Sequence, residues 1–409
     1  MSRKTNKKCV LIDARFIPGS SGGVETVAMG LASGLSQFKF DDIEIKFLVL
    51  EQHCEWIRNF TNSDLIFVQD SRNWFLKEVR DKIKFHRYRW SKGHFSQLPV
   101  RDKKIEKLSP DLVHFVFQRG YKTASDFLYQ PHDLQHLHYP GFFSPKVIRD
   151  RETKYRYLSS HSKNIVVGTQ WIKNDVIDKY GATSNKVKVI PLAPYFHPVE
   201  SESLENERFS EIRFEKFIFY PAAPWPHKNH SIIFSALSQL RKKGLIIPIV
   251  LSGPRSTGID LSLLVQEFGI EDQVQDIGFV TDTELQHVYK SATALVMPSL
   301  FEAESLPVWE AFAAGIPVLC SDVTSMPDQI GNAGLLFNPF DASDLAEKIA
   351  NIWNDNSLQI ALVSRGALQL SRISWKETAK RYLTLYRNSM LLPVSTNELE
   401  TLNMPSEIG

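Results

Sequence analysis

The stretch that decides the fold runs from Ala294 to Cys320 and reads ALVMPSLFEAESLPVWEAFAAGIPVLC. It opens with an apolar run that ends near Pro298, and it closes with a second apolar run, Pro317–Cys320. Between the two runs, Ser305 is a suitable helix N-cap and Pro307 suits the first turn of a helix. Two short apolar runs joined by a loop and a helix are typical of buried parallel strands in a strand–helix–strand unit.

Both halves of the chain repeat this order. Val10–Phe16 and Phe217–Tyr220 each precede a turn rich in Gly or Pro and then a segment of helix length. Further apolar runs of the same kind are Ile45–Leu50, Leu112–Phe117, Ile165–Val167, Val187–Ile190, Pro248–Leu251, Val274–Ile277 and Ala294–Met297. The sequence therefore predicts an α/β protein with two doubly wound, Rossmann-like sheets.

The domain boundary is expected where prolines give way to a charged stretch, Glu200–Glu211. We predict an N-terminal domain over residues 1–198 and a C-terminal domain over 199–375. Residues 376–409 are expected to form a C-terminal helix, which can pack back on the N-terminal domain, and a loose tail. The tail is placed from about Ser389 because no hydrophobic periodicity follows it.

Composition excludes several classes of protein. The 409 residues are 43% hydrophobic and 23% charged, which is ordinary for a globular protein and excludes wholesale disorder. A net charge of +2 predicts no nucleic-acid binding. Three cysteines without a CxxC pair predict reduced thiols in a cytosolic protein. Because no apolar stretch approaches the roughly 18 residues of a membrane span, membrane contact is expected to be peripheral.

The loop and helix start within the deciding stretch predict an anion site. The free N–H groups and positive dipole end of a helix N-terminus favour a diphosphate. Glu302 and Glu310 could accept hydrogen bonds from sugar hydroxyls at the two ends of such a ligand. Two glutamates eight residues apart also occur by chance, and acidic first turns simply favour the helix dipole.

A lysine follows the first strand of the second half, in YPAAPWPHKNH (Tyr220–His230). Lys228 stands at the start of a predicted helix, where its compact charge suits a diphosphate leaving group. The alternative is an ordinary surface lysine.

Three histidines lie within seven residues of QPHDLQHLHYP (Gln130–Pro140). We favour His132 as a hydrogen-bonding group of an active site. Metal binding by His132 and His136 needs a helix and a third ligand, and a purely structural role for the histidines is the third interpretation.

The segment GSSGGVE (Gly19–Glu25) lets the backbone approach a ligand closely, or forms a tight turn. Its spacing is not G-x-G-x-x-G, so the dinucleotide fingerprint is absent.

Together these motifs resemble the retaining glycosyltransferases of family 4, which have the GT-B fold. The resemblance rests on the E-x7-E pair Glu302 and Glu310, the AFAAGIPV that follows, and the segments Gly331–Phe337 and Asp344–Ala346. Other landmarks occur in order over most of the chain. The resemblance implies two Rossmann-like domains facing across a cleft, and transfer of a sugar from a nucleotide diphosphate with retention of configuration.

The resemblance also implies roles for individual residues. Glu302 would contact hydroxyls of the donor sugar, Glu310 the ribose, and the backbone amides near Ser305 and Leu306 the phosphates. Lys228 would take the leaving-group charge, and His132 would face the donor sugar. The remaining donor-site residues implied are Gly22, Gly23, Gly253, Phe279 and Val280. The loop Gly278–Val280 would border the nucleotide base through backbone atoms.

One departure from the family concerns charge. Many relatives carry an Arg a few residues before the Lys, but none lies between Lys216 and Lys228. The segment Trp225–His230 instead looks like a variant of mannosyltransferase-like members, which leaves open the group that supplies the second charge.

The expected function is transfer of a hexose. Mannose from GDP-mannose is the first expectation, and UDP- and dTDP-sugars are the alternative donors. The acceptor would be a glycan or a lipid-diphosphate-linked glycan of bacterial surface polysaccharide. No Asp-x-Asp occurs, so neither a metal nor another cofactor is expected. The alternatives are a non-catalytic GT-B partner in polysaccharide assembly and a Rossmann-type oxidoreductase, which the absent fingerprint disfavours.

The expected location is the cytoplasm, at the inner face of the plasma membrane. Lys77–His94 holds seven Lys or Arg against two acidic residues, with interleaved aromatic rings. Such a segment suits an anionic membrane surface or a lipid diphosphate, and a solvated helix or loop is equally compatible.

Overall fold

The computed structural model describes residues 7–16, 23–68, 103–194, 212–255 and 259–403. The chain divides into two compact units. Unit 1 contains the described residues up to Pro191 and those from Trp375 onward, and unit 2 contains those between Leu192 and Ser374. This division falls a few residues before the predicted boundary at 198/199. The predicted linker Glu200–Glu211 lies outside the described residues.

The described part of unit 1 is built on a parallel sheet. Its strands are β1 (Lys8–Asp13), β2 (Ile43–Leu50), β3 (Asp64–Val68), β4 (Leu112–Phe115), β5 (Asp126–Tyr129), β6 (Asn164–Val167) and β7 (Val187–Val189). They lie in the order β3-β2-β1-β4-β5-β6-β7. Its helices are α1 (Gly23–Ser36), α2 (Glu55–Arg58), α3 (Lys103–Leu108), α4 (Gln135–His138), α5 (Pro145–His161) and α6 (Gln170–Tyr180).

The described part of unit 2 is built on a second parallel sheet. Its strands are β8 (Ile218–Pro221), β9 (Ile249–Ser252), β10 (Val274–Asp276), β11 (Ala294–Met297), β12 (Val318–Ser321) and β13 (Gly334–Phe337), in the order β10-β9-β8-β11-β12-β13. Its helices are α7 (His230–Lys242), α8 (Leu261–Phe268), α9 (Asp282–Ser291), α10 (Leu306–Ala314), α11 (Met326–Ile330), α12 (Ala342–Asn354) and α13 (Asn356–Leu370).

The predicted fold class is confirmed, since both sheets are parallel and helices alternate with strands along the chain. Every apolar run named from the sequence contains or overlaps a strand. The four residues of β9, β11 and β12 are all buried, as expected for strands covered on both faces. Such strands need no alternation of polar and apolar residues, which is why short apolar runs located them.

The last part of the chain returns to unit 1. Helix α14 (Trp375–Ser389) packs against α1, where Gly30 and Gly34 leave room for it. At its other end, Tyr386 Oη and His114 Nδ1 of β4 form a buried hydrogen bond of 2.8 Å. Helix α14 is therefore part of the core of unit 1.

The predicted loose tail is wrong as far as Asn403. Helix α15 (Thr396–Asn403) follows α14 and lies against β7. Leu402 is buried, and Lys188 Nζ donates to Asn403 Oδ1 over 2.6 Å. The helix is short and mostly polar, so its sequence lacks a periodic signal, and tertiary contacts hold it in place.

The cysteines Cys9, Cys54 and Cys320 are free thiols, and two of them are buried. In the ranges described, none of the helices combines the length and the apolar character that crossing a bilayer demands.

The contact of α14 with α1 gives a test of this packing. A Cβ on Gly30 would lie 1.9 Å from Trp375 Cε2, inside the ring of a buried side chain. Gly30→Ala should therefore destabilise unit 1 by about 1–3 kcal/mol, although alanine favours a helix by about 1 kcal/mol. The change in urea midpoint measures it. Gly141→Ala, where nothing lies within 4 Å of the new Cβ, is the matched control. An unchanged midpoint for Gly30→Ala would show that α14 is not packed here.

Candidate active site

The carboxyl edge of the unit 2 sheet has one position where neighbouring strands send their connections in opposite directions. In the strand order, β8 connects to β9 on one side and β11 connects to β12 on the other. The loops that follow β8 and β11 therefore diverge and leave a crevice, which is where open α/β sheets bind ligands. Lys228 lies in the first of these loops and Glu302 in the second.

The backbone around Lys228 is held by hydrogen bonds from both strands. Pro226–Lys228 forms a single 3₁₀ turn after β8, and the Lys228 carbonyl accepts the Tyr220 hydroxyl over 2.6 Å. Asn229 adopts a left-handed conformation, with φ 55°, and its side-chain amide donates to the Pro298 carbonyl over 3.2 Å. The turn is thus fixed to the end of β11, and the lysine is placed there by the fold.

Lys228 and Glu302 form an ion pair in the crevice. Lys228 Nζ lies 2.5 Å from Glu302 Oε1, and their side chains are 20% and 12% exposed. Burial by itself would raise the pKa of Glu302, but the neighbouring Lys228 ammonium outweighs it and the pKa is lowered. Glu302 is therefore ionised at neutral pH, and a diphosphate would compete with it for the lysine.

The loop that carries Glu302 is anchored by the segment after β12. Thr324 Oγ1 donates to the Glu302 carbonyl over 2.6 Å, and Ser325 Oγ donates to the Ala303 carbonyl over 2.6 Å. Thr324 has φ 51°, a conformation that is uncommon for a β-branched residue and is found at functional sites. These bonds hold the Glu302 carboxylate towards Lys228 before any ligand arrives.

The helix start differs from the sequence-based expectation. Ser305 is the N-cap of α10, as predicted, but its hydroxyl makes no capping hydrogen bond. The Ser305 N–H, expected to hold phosphate, donates instead to Gln329 Oε1 over 2.8 Å, and Gln329 Nε2 donates back to the Ser305 carbonyl over 2.6 Å. Gln329 thus occupies this amide. Of the two amides predicted to bind phosphate, only the Leu306 N–H therefore remains, since the next residue, Pro307, has no N–H.

Glu310 lies one turn into α10 and accepts a hydrogen bond of 2.7 Å from the Tyr289 hydroxyl. Burial raises its pKa to about 7, with the negative charge of Asp282 adding to the rise and the Tyr289 hydrogen bond opposing it. The Glu310 carboxylate therefore titrates near neutral pH. Its predicted role, accepting ribose hydroxyls, remains a prediction.

The remaining predicted donor-site residues of unit 2 lie along the same edge. Gly253 follows β9 with φ 133°, and a Cβ there would lie 2.8 Å from the Ala223 nitrogen. The loops after β8 and β9 can approach this closely only because the residue is glycine. The Gly253 N–H donates to the Gly278 carbonyl over 2.8 Å. Phe279 and Val280 follow Gly278, and Phe279 is 64% exposed.

His132 belongs to unit 1, in the loop after β5. It has φ 63°, which is unusual for a residue other than glycine. Its Nε2 lies 2.8 Å from the Val116 carbonyl, so this nitrogen carries the proton and Nδ1 is the acceptor. Burial lowers its pKa, so the ring is neutral at pH 7. A neutral, strained histidine suits hydrogen bonding to a hydroxyl.

The other two histidines of this segment have separate partners. His136 Nε2 lies 2.9 Å from Glu152 Oε1, and His138 Nε2 lies 2.8 Å from Asp175 Oδ1. His132 precedes α4, so the helical i, i+4 pair on which the zinc interpretation depends is not formed. Over the described ranges, no group of three or more His, Cys, Asp or Glu residues is arranged to hold a metal ion.

Two predicted elements fall outside the described residues. Gly22 lies there with most of the segment Gly19–Glu25, and Gly23 is the first residue of α1. The basic, aromatic stretch Lys77–His94 also lies there.

Sequence reasoning missed the residues that support the site. Thr324, Ser325 and Gln329 hold the loop and helix start, and Tyr289 holds Glu310. Each lies about 20 residues or more from its partner, and no local pattern indicates the contact. The positive φ of Thr324 has no sequence signal either, because turns of this kind usually contain Gly or Asn.

Glu304, two residues beyond Glu302, is a further carboxyl that the fold largely removes from solvent. Its Oε1 accepts the Leu192 N–H over 2.8 Å, within unit 2. Burial raises its pKa to about 8, although this hydrogen bond favours the ionised form. At neutral pH Glu304 is mostly protonated and adds little negative charge to the crevice.

Comparison with known proteins concerns the family and the fold. Residues 205–369 match the family model described as glycosyl transferases group 1. Among curated proteins, the chain is 25% identical to O-antigen chain mannosyltransferase B of Escherichia coli over 63% of this chain and 68% of the relative. It is 28% identical to O-antigen chain mannosyltransferase RfbU of Salmonella typhimurium over 54% and 59%. The second alignment thus leaves two fifths of its relative uncovered.

Solved structures share the whole fold at low sequence identity. HepE of Anabaena, in complex with UDP and glucose, superposes with a TM-score of 0.70 and 15% identity, covering 93% of this chain and all of that one. WaaG, a glycosyltransferase involved in lipopolysaccharide biosynthesis, gives 0.60 and 15%, covering 92% and 99%. The family model covers residues 205–369, about two fifths of the chain, and together with the relatives and the shared GT-B fold it supports a glycosyltransferase.

Glu304 gives a test of burial at the site. Its pKa is about 8 in the folded protein against an ordinary 4.5, so the unfolded chain loses this proton first as pH rises. The free energy of unfolding should therefore fall between about pH 5 and pH 8. Glu304→Gln keeps the hydrogen-bond acceptor but cannot ionise, so its Tm should exceed that of the wild type by a margin that grows by several degrees over this range. The exposed Glu267→Gln is the control. A constant margin would contradict the burial of Glu304.

Proposed function

We propose that the protein is a retaining mannosyltransferase that uses GDP-mannose. Its acceptor is a glycan or lipid-linked glycan of a bacterial surface polysaccharide. The observation that carries the proposal is the Lys228–Glu302 pair in the crevice of unit 2, which offers a cation for a diphosphate beside a carboxylate for sugar hydroxyls. The choice of mannose and of O-antigen chemistry is supported by the two mannosyltransferase relatives.

The reaction breaks the bond between the anomeric carbon and the phosphate oxygen, and it forms a bond from the same carbon to an acceptor hydroxyl oxygen. Negative charge develops on the departing diphosphate, so stabilisation by preorganised charge is the main contribution of the protein. Lys228 takes this charge, assisted by the Leu306 N–H at the start of α10. The acceptor proton passes to the leaving phosphate oxygen, and no enzymatic nucleophile is assigned.

The other predicted residues orient the donor. Glu302 accepts hydroxyls of the sugar, and Glu310 accepts those of the ribose. His132, in unit 1, offers Nδ1 as an acceptor to a hydroxyl group, since its Nε2 is engaged by the Val116 carbonyl. In this proposal the diphosphate is held by protein groups without a metal ion. The protein acts in the cytoplasm, at the inner face of the membrane.

Donor turnover tests the proposal. Wild-type protein should release GDP from GDP-mannose in the presence of acceptor, and GDP should raise its Tm more than UDP or dTDP does. Lys228→Ala should lower kcat by about 100-fold, because one transition-state cation is lost. Lys290→Ala, an exposed lysine on α9, should leave kcat unchanged. A UDP-sugar as sole donor would contradict the assignment of GDP-mannose. Equal turnover in the wild type and Lys228→Ala would contradict the leaving-group role.

The pKa of Glu310 predicts how nucleotide binding depends on pH. An ionised carboxylate is a stronger acceptor for ribose hydroxyls than the protonated acid. Because its pKa is about 7, the affinity for the nucleoside diphosphate should rise several-fold between pH 6 and pH 8. Glu310→Gln should remove most of this slope, while titration of the nucleotide itself is common to both proteins. Calorimetry at several pH values measures the slope of affinity against pH. Equal slopes in the wild type and Glu310→Gln would show that Glu310 does not bind the ribose.

A further inference from the structure

The crevice of unit 2 contains less positive charge than a diphosphate requires. A diphosphate ester carries about two negative charges at pH 7. Lys228 supplies one positive charge, and Glu302 already neutralises it in the ligand-free protein. The sequence offers no Arg between Lys216 and Lys228. The loop after β8 therefore holds no second Lys or Arg beside Lys228.

Arg255 reaches the edge from the neighbouring strand. It lies two residues beyond Gly253, in the loop after β9, and β9 pairs directly with β8. Its Nη1 donates to the Gly253 carbonyl over 2.6 Å, and its guanidinium pairs with Asp276 at the end of β10. The side chain is 30% exposed, so it is open to a ligand from solvent. The close approach at Gly253 brings this loop onto the loop that leads to Lys228.

His230 shows that Arg255 and Lys228 face the same region. This histidine is the first residue of α7 and is 4% exposed. Burial lowers its pKa to about 4, and the positive charges of Arg255 and Lys228 both add to the fall. The two cations therefore both lie near one buried ring, at the same edge of the sheet.

Resting on the proposed function, we infer that Arg255 is the second cation of the donor site and binds the phosphate nearer the base. Along the sheet, the predicted base-binding loop follows β10, Arg255 follows β9, Lys228 follows β8 and Glu302 follows β11. A nucleotide sugar laid along this order places the first phosphate at Arg255, the second at Lys228 and the sugar at Glu302. A guanidinium is suited to this position because its fork binds two oxygens of one phosphate.

Asp276 holds Arg255 until the ligand arrives. The same carboxylate accepts the Gly278 N–H over 2.9 Å, next to Phe279. Asp276 therefore positions both the cation and the loop expected to border the base. In the occupied site a phosphate oxygen replaces or shares Asp276 as the partner of the guanidinium.

Calorimetry with GDP, GMP and guanosine separates the two cations. Arg255→Ala should weaken both GDP and GMP by about 10- to 100-fold and leave guanosine unchanged, because a hydrogen-bonded charge pair to phosphate is lost. Lys228→Ala should weaken the binding of GDP but not the binding of GMP, because GMP lacks the second phosphate. Arg255→Lys should recover part of the loss. Arg241→Ala is the matched control. Arg241 Nη1 lies 2.6 Å from Asp272 Oδ1, and this ion pair is not at the carboxyl edge of the sheet.

Asp276→Asn provides a second arm that does not remove the cation. Asparagine keeps an acceptor for the Gly278 N–H but no longer competes for Arg255, so GDP should bind more tightly. Wild-type affinity for GDP and GMP in Arg255→Ala, or a loss seen in His227→Ala instead, would overturn the inference. So would unchanged or weaker binding in Asp276→Asn. A wild-type protein that binds no nucleoside diphosphate would overturn the proposed function itself, and the inference with it.

Discussion

The ion pair of Lys228 and Glu302 is the interaction on which the account of unit 2 depends. It lies where the connections of β8 and β11 diverge, so the topology of the sheet opens the crevice in which the pair stands. A mostly buried ion pair contributes little net stability, because desolvation offsets most of the attraction between its charges. Stability alone therefore gives little reason to place a lysine and a carboxylate here. A better reason is a ligand whose negative charge replaces that of Glu302 as the partner of Lys228.

The surroundings of the pair fix its loops and limit the negative charge near it. Thr324 and Ser325 hold the loop that carries Glu302, and Gln329 holds the start of α10. Burial keeps Glu304 mostly protonated and Glu310 near its titration midpoint at neutral pH. Three glutamates within nine residues would otherwise repel a diphosphate. Because their carboxyls are desolvated to different degrees, one is ionised beside the lysine while the other two add less charge.

Most of the fold could be predicted from the sequence, because strands covered on both faces are short apolar runs. Three strands escaped prediction. β5 begins with an exposed Asp126 and β3 begins with Asp64, whereas β13 is apolar but only partly buried. Helix α15 escaped because its contacts with β7 hold a segment of low apolar content. In the site, motif residues could be named but not their partners. The Ser305 amide is the clearest case, since Gln329 reaches it from a different helix, 24 residues along the chain.

A crystal structure with bound GDP would test the central claim most directly. The account predicts the two phosphates in the crevice between the loops after β8 and β11, with the outer phosphate within about 4 Å of Lys228 Nζ. The ammonium should have moved from Glu302 towards that phosphate. A diphosphate bound elsewhere, with the Lys228–Glu302 pair intact, would contradict the account.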